Sequence, residues 1–196
     1  MQLNTRNHAI LSIDDDPMIL KVLEDLVTRA GYESFSAKTA ADALRLAGDR
    51  QFAVIIADHN MPDMMGAELL SRFAQIQPSA SRVLITGIKT FDVVSAAVNS
   101  GEIFRFVTKP WISAEMMATL HNAVQRFDLI ETNKALEKQS QDLNQKLSAA
   151  NLQLDKQLKD LENDKMEIDA THDSLKTNFS RSLELCQRVL TTFNPL

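Results

Sequence analysis

Phe52-Ala53-Val54-Ile55-Ile56-Ala57-Asp58-His59-Asn60-Met61-Pro62-Asp63-Met64-Met65-Gly66 decides the fold of this chain. Its first five residues are apolar and rich in β-branched side chains, the composition of a strand buried on both faces. Met61-Pro62 and Gly66 punctuate a loop, and Ala67-Glu68-Leu69-Leu70 opens a helix. A carboxylate, Asp58, therefore stands where a buried strand gives way to a loop. In open parallel sheets that edge, at the carboxyl ends of the strands, is where ligands bind. A lone Asp there could equally start a turn, so its meaning depends on what else reaches the same edge.

Four more strand patterns flank this one. His8-Ala9-Ile10-Leu11-Ser12-Ile13 reads as a strand ending at Asp14-Asp15-Asp16-Pro17. Pro17 suits the first turn of a helix and Asp16 its N-cap. That helix carries Ile19, Leu20, Val22, Leu23, Leu26 and Val27, and Gly31 stops it. Tyr32 to Ser36 is a short second strand, and Thr39 to Ala47 a helix closed by Gly48. Beyond the central strand, a third helix reaches Ile76 before Pro78. Arg82 to Thr86 is the fourth strand, ending at Gly87, and Phe91 to Asn99 a fourth helix stopped by Ser100-Gly101. Ile103 to Thr108 is the fifth strand, ending at Lys109-Pro110, and Ser113 caps a fifth helix with Glu115 in its first turn. Five strands alternating with five helices predict an α/β fold, a doubly wound parallel sheet with right-handed crossovers.

Glycine marks the end of that domain. All five glycines lie at or before residue 101, and neither Gly nor Pro occurs between Trp111 and Asn194. From Leu129 the pattern becomes heptad: Leu129, Leu136 and Leu143 recur every seven residues, as do Leu147, Leu154, Leu161, Ile168 and Leu175. The two series are offset by four residues, a stutter. The intervening surface is Glu, Lys, Gln, Asp and Asn. So narrow a leucine stripe predicts a long coiled-coil helix, with polar Asn133, Ser140 and Asn151 at or near the seam to set register. Lys165 and His172 weaken the seam beyond residue 161, and Phe179, Leu183, Cys186 and Leu190 suggest a further amphipathic helix. The expected division is residues 1–126, a sheet domain; 127–168, a dimerising coil; and 169–196, a helical lead-in to an output domain beyond this chain.

Composition narrows the function. A formal net charge of −5 without a basic cluster speaks against nucleic-acid binding. The single cysteine, Cys186, excludes an intramolecular disulfide framework and suits a reducing compartment. No apolar run approaches the ~20 residues needed to span a bilayer. The expectation is a cytoplasmic protein with no membrane partner.

The strand ends supply the chemistry. Strand one delivers Asp14 and Asp15, strand three Asp58, strand four Thr86 and strand five Lys109. Clustered acids repel, and a hard divalent cation with oxygen ligands is the natural counter-charge. Phosphoryl transfer to Asp58 needs positioning and charge neutralisation more than covalent help. Mg²⁺ held by Asp15 and Asp58, with Asp14 as ligand or orienting a metal-bound water, would serve. Lys109 would hold a phosphoryl oxygen as a point charge, Thr86 would hydrogen-bond another, and Gly87 would leave room.

In this order and spacing, Ile13-Asp14-Asp15, Asp58 with Met61-Pro62 and Gly66, Thr86-Gly87 and Lys109-Pro110 resemble the receiver domain of bacterial two-component response regulators, over about residues 7–126. The resemblance implies a flavodoxin- and CheY-like sheet order 2-1-3-4-5 and a phosphoaspartate at Asp58 made from the phosphohistidine of a sensor histidine kinase. It also implies a Mg²⁺ cofactor, with the backbone carbonyl of Asn60 among its ligands, and a switch pair of Thr86 with Phe106. The family often has Tyr at the second switch position, so Phe106 keeps the packing but lacks the hydroxyl. Asp16 reads as a helix cap, His59 as a loop residue tuning access, Asp63 as loop, and Phe104 and Trp111 as core or interface.

Two other classes compete. A metal-dependent phosphohydrolase with an Asp nucleophile would carry it at the first strand in Asp-x-Asp, whereas here the acceptor lies on the third. A stand-alone coiled-coil adaptor would not need the intact acid pair, Thr and Lys. The expectation is a switch that turns over no external substrate and passes its state through a homodimeric coil. One uninterrupted helix could run from Ser113 for about fifty residues, roughly 75 Å. The tail from Asn178 resembles the segment before an HD-type domain of the HD-GYP class, which hydrolyses cyclic di-GMP; such an output is expected beyond Leu196.

Overall fold

The computed structural model describes residues 8–87 and 103–193. Five strands form one parallel sheet: β1 (Ala9–Ile13), β2 (Glu33–Ala37), β3 (Val54–Asp58), β4 (Ser81–Gly87) and β5 (Arg105–Lys109). Their order is β2-β1-β3-β4-β5, as the resemblance implied. The helices are α1 (Pro17–Arg29), α2 (Ala40–Asp49), α3 (Gly66–Ile76) and α4 (Ser113–Phe193). The helix expected at Phe91 to Asn99, with its stop at Ser100-Gly101, lies outside the described residues.

Central β3 is buried at every position; the apolar run Val54 to Ala57 accounts for this up to Asp58, the buried carboxylate at its end. Its side chains alternate between two cores. Ile55 and Ala57 pack with Leu11, Leu84 and Phe73 beneath α2 and α3. Val54 and Ile56 pack with Leu23, Val27, Met116 and Leu120 beneath α1 and the start of α4. Phe104 and Trp111 lie partly buried against this second cluster.

Local chemistry sets the helix ends, with three differences from expectation. Asp16 accepts the Met18 N–H at 2.8 Å and Pro17 takes the first helical position, as the sequence suggests. Gly31, at φ +84°, ends the turn after α1 in the left-handed region that glycine tolerates best. Gly48, by contrast, does not close α2. It sits inside the helix, which ends only where the Arg50 N–H reaches Leu46 O. Gly66 opens α3 rather than preceding it, and Ser113 is the first residue of α4 rather than its cap, since Met116 N already bonds Ile112 O.

Register aligns the strand ends. Ile13 lies opposite Ala57, Asp58 opposite Ile85, and Ile85 opposite Val107. Asp14 and Asp58 therefore leave the sheet at nearly one level, and Lys109 two residues farther along β5.

The chain divides into two compact units, Met1–Leu136 and Glu137–Leu196. In the first, α4 is held against the sheet by Ser81 Oγ donating to Ala123 O at 2.7 Å and by His8 with Asp128 at 3.3 Å. The second is helix throughout its described residues, so the amphipathic segment expected after Ile168 continues the same helix. Its Leu143, Leu147, Leu154, Leu161, Ile168 and Leu175 are 55–68% exposed in the single chain.

Candidate functional site

At the carboxyl edge of the sheet two acids are almost sealed from solvent: Asp14 is 1% exposed and Asp58 6%. Buried carboxylates need compensation, and Lys109 supplies it. Its Nζ lies 2.8 Å from Asp14 Oδ2 and 2.6 Å from Asp58 Oδ1. The stem of Lys109, starting two residues beyond the level of Asp58, reaches back over β4 to do so.

Backbone donors hold the remaining oxygens. Asp14 Oδ1 accepts the Asp16 N–H at 2.9 Å, and Asp58 Oδ2 accepts the Asn60 N–H at 2.9 Å. Burial pushes the Asp14 carboxyl above its ordinary range, more than the Lys109 hydrogen bond pulls it down. Burial also works against the Lys109 ammonium, but its bonds to Asp14 and Asp58 outweigh that and hold its pKa above the usual lysine value. Among the described residues, two acids share one base.

The site therefore fits a small hard cation. Its donors are all oxygens: the Asp14 and Asp58 carboxylates, Asp15 exposed beside them, and the chain carbonyls of the loop after β3. Among the described residues no three His, Cys, Asp or Glu side chains form a ready-made cage. Mg²⁺ is a cation that keeps several waters and takes one or two carboxylates.

The loop bearing Asn60 is tightly made. The Gly66 N–H donates to His59 O at 3.0 Å, closing the turn, and Met61 is buried beneath it. A Cβ on Gly66 would lie 1.9 Å from the Asp58 carbonyl oxygen, so the turn has room for hydrogen alone. Thr86 is buried at the end of β4, where its hydroxyl donates to Gly87 O at 3.2 Å. Along β4 it falls on the same sheet face as Leu84, toward the core that Phe106 of β5 packs against. Among the described residues, a Cβ on Gly87 would meet nothing within 4 Å.

Two residues do more than the sequence reading gave them. His59 lies in the loop after β3 but is buried there: it is 2% exposed, its N–H donates to Ile85 O at 2.7 Å, and among the described residues its Nδ1 has no hydrogen-bond partner. Asp63 is more than loop, because its Oδ2 accepts the Ala40 N–H at the start of α2, at 2.7 Å. Nothing in the local pattern around Pro62-Asp63 points to a partner 23 residues earlier.

The comparisons with known proteins give the family. The family model for the response regulator receiver domain matches residues 10–121, more than half of the chain. The chain belongs to this family. The receiver is similar to the transcriptional regulatory protein KdpE of Mycobacterium tuberculosis, 35% identical over 117 residues, covering 60% of this chain and 51% of the relative. Among solved structures it resembles the signal receiver domain of an HD domain-containing protein from Pseudomonas fluorescens Pf-5, at 32% identity and a TM-score of 0.62, covering 67% of this chain and 97% of the other. It also resembles the structure described as adenylate cyclase from Rhodopirellula baltica, at 28% identity and a TM-score of 0.65, covering 67% and 98%. The chain spans between about a fifth and about a half of the first curated relatives it matches. The match thus lies within the receiver. Among the described residues no helix is long and apolar enough to cross a membrane.

Proposed function

We propose that this chain is the receiver and signalling helix of a two-component response regulator, phosphorylated on Asp58 by a sensor histidine kinase with Mg²⁺ as cofactor. The observation that carries the proposal is the Lys109 ammonium held between two buried carboxylates, 2.8 Å from Asp14 and 2.6 Å from Asp58. A purely structural ion pair needs one acid. Here the second acid leaves a negative edge whose neutralisation by a cation prepares it for a phosphoryl group.

In the transfer, an Asp58 carboxylate oxygen attacks phosphorus, and the bond from phosphorus to the kinase histidine nitrogen breaks with its electron pair returning to the imidazole. Asp58 becomes an acyl phosphate. Asp14, Asp15, Asp58 and the Asn60 carbonyl would hold Mg²⁺, which supplies Lewis-acid neutralisation of the phosphoryl oxygens. Lys109 then has a new partner of higher charge and holds it as a point charge. The Thr86 hydroxyl turns from Gly87 O toward the phosphoryl group, and Phe106 repacks behind it. No external substrate is turned over.

The state passes into a homodimeric coil. The exposed leucine row of α4 has the spacing of a coiled-coil seam, and fully burying a Leu side chain contributes about 1.5–3 kcal/mol. A second copy in parallel register supplies that burial and aligns the seam Asn residues. An output domain beyond the coil, of the HD type or another, would receive the signal in the cytoplasm.

Acetyl phosphate with Mg²⁺, followed by intact mass, tests the acceptor. A single phosphoryl adduct is expected on the wild type and none on Asp58→Asn. An adduct that persists in Asp58→Asn sinks the assignment.

A further inference from the structure

We propose that Asp63 is a positioning residue that sets the width of the cation site by tying the loop after β3 to the N-terminus of α2. The inference rests on the reading of Asp14, Asp58 and the Asn60 carbonyl as that site.

The His59 N–H ties the start of the loop to Ile85 O of β4, and the next two ties are local. The Asn60 N–H returns to Asp58 Oδ2, and the Gly66 N–H returns to His59 O. Both shape the turn, and neither fixes where it sits relative to β1. The Asp63 bond does reach another element. The Ala40 N–H is one of the first-turn donors that a helix leaves unpaired. Thr39, the N-cap of α2, satisfies the Asp42 N–H at 3.1 Å, and Asp63 satisfies Ala40 at 2.7 Å. A carboxylate is well placed there by charge as well as by geometry. Ala40 itself is buried with Ala43 and Ala47 in the core, so the anchor does not drift.

The same segment is joined to the other acid. Ala37, the last residue of β2, accepts the Asp14 N–H at 3.3 Å. From Asp14 the path runs through Ala37 and along the backbone to the Ala40 N–H, across to Asp63, and back along the loop to Asp58. Two carboxylates that repel each other are thus braced from behind, while Lys109 bridges them in front. An octahedral cation at short, nearly fixed ligand distances tolerates little change in that spacing.

Equilibrium binding of Mn²⁺ to the full chain, read from the electron paramagnetic resonance of the free ion, tests this. Mn²⁺ takes the same oxygen donors as Mg²⁺. Asp63→Ala is expected to weaken binding about tenfold, the low end for residues that orient ligands indirectly. Asp63→Asn, whose amide oxygen still accepts the Ala40 N–H, should stay within about twofold of wild type. Ala40→Pro breaks the same bond from the other side and keeps the Asp63 charge. Proline suits a first helical position, and Thr39 is already extended at φ −135° and ψ 155°, as a residue before proline prefers. It should weaken binding as Asp63→Ala does, and it stands in if that variant fails to fold. Thr39→Ala removes the helix's own cap and should lower the melting temperature without moving Mn²⁺ affinity. Unchanged affinity in Asp63→Ala or Ala40→Pro overturns the proposal. So does Asp63→Asn binding as weakly as Asp63→Ala, because charge and not the brace would then be the cause. Equal weakening by Thr39→Ala would mean general loosening of α2 and also overturns it. Absence of binding in the wild type would instead strike the reading of the site itself.

Discussion

Gly66→Ala sets two effects of opposite sign against each other. Gly66 is the first residue of α3, where alanine is ordinarily the better helix former by up to about 1 kcal/mol. Sterics oppose this. The new Cβ would lie 1.9 Å from Asp58 O, 2.8 Å from Asp58 C and 3.1 Å from His59 Cα, all backbone atoms, where ordinary contact is 3.4–4 Å. No rotamer change relieves such a contact. Either the loop or the end of β3 must shift by about 1.5 Å, the difference between 1.9 Å and the lower limit of ordinary contact. That end is pinned by its ladder to β4 and by the buried side chains on both faces. The cost belongs with the severe single substitutions, about 3–5 kcal/mol, and outweighs the propensity gain. Gly48→Ala is the matched control: also helical, with nothing within 4 Å of its Cβ, it should gain about 0.5–1 kcal/mol. Urea denaturation of both variants against wild type measures the difference. Gly66→Ala as stable as wild type would refute the steric argument, and Gly48→Ala destabilised by more than 1 kcal/mol would refute the propensity argument.

Three further outcomes are expected. Gln77 is buried and makes three bonds, accepting from Phe52 N at 2.9 Å and donating to Ala47 O at 3.0 Å and Arg50 O at 2.7 Å. Gln77→Leu orphans those backbone groups and should cost about 2–5 kcal/mol in urea denaturation; a loss under about 1 kcal/mol would count against the bookkeeping. Burial, the first of its causes, raises the folded pKa of Asp14, so its contribution to stability is fully present below the ordinary value of 3.8 and is lost as pH rises through the raised folded value. Asp14→Asn in metal-free buffer should therefore be more stable than wild type at neutral pH, with the advantage fading in acid; a constant difference across pH would contradict the assignment. Light scattering should find a dimer for the full chain at micromolar concentration and a monomer after truncation at residue 128; equal dimer affinity in the truncated form would move the interface to the receivers.

The sequence by itself determined the alternation of strands and helices among the described residues, the buried character of β3, the cap at Asp16, and the acids and lysine that meet at one edge. These are local or periodic signals. An apolar run, a proline at a first turn and a heptad each act within a few residues, and in a parallel sheet every strand ends on the same side. That the edge holds Asp14, Asp58 and Lys109 together therefore followed from order alone. What only the tertiary structure decided are contacts between distant segments. Asp63 and Ala40 are 23 residues apart, and Gln77 reaches back 25, 27 and 30 residues to its three partners. His59 lies in the loop that Asn60-Met61-Pro62 announces, but its burial and its bond to Ile85 O of β4 were not legible there. Gly48 resembled a helix stop, but the helix ends at Arg50 because Gln77 and the cores around it hold the last turn in place. Such bonds depend on how one packed layer lies over another, and no spacing within a single segment encodes that.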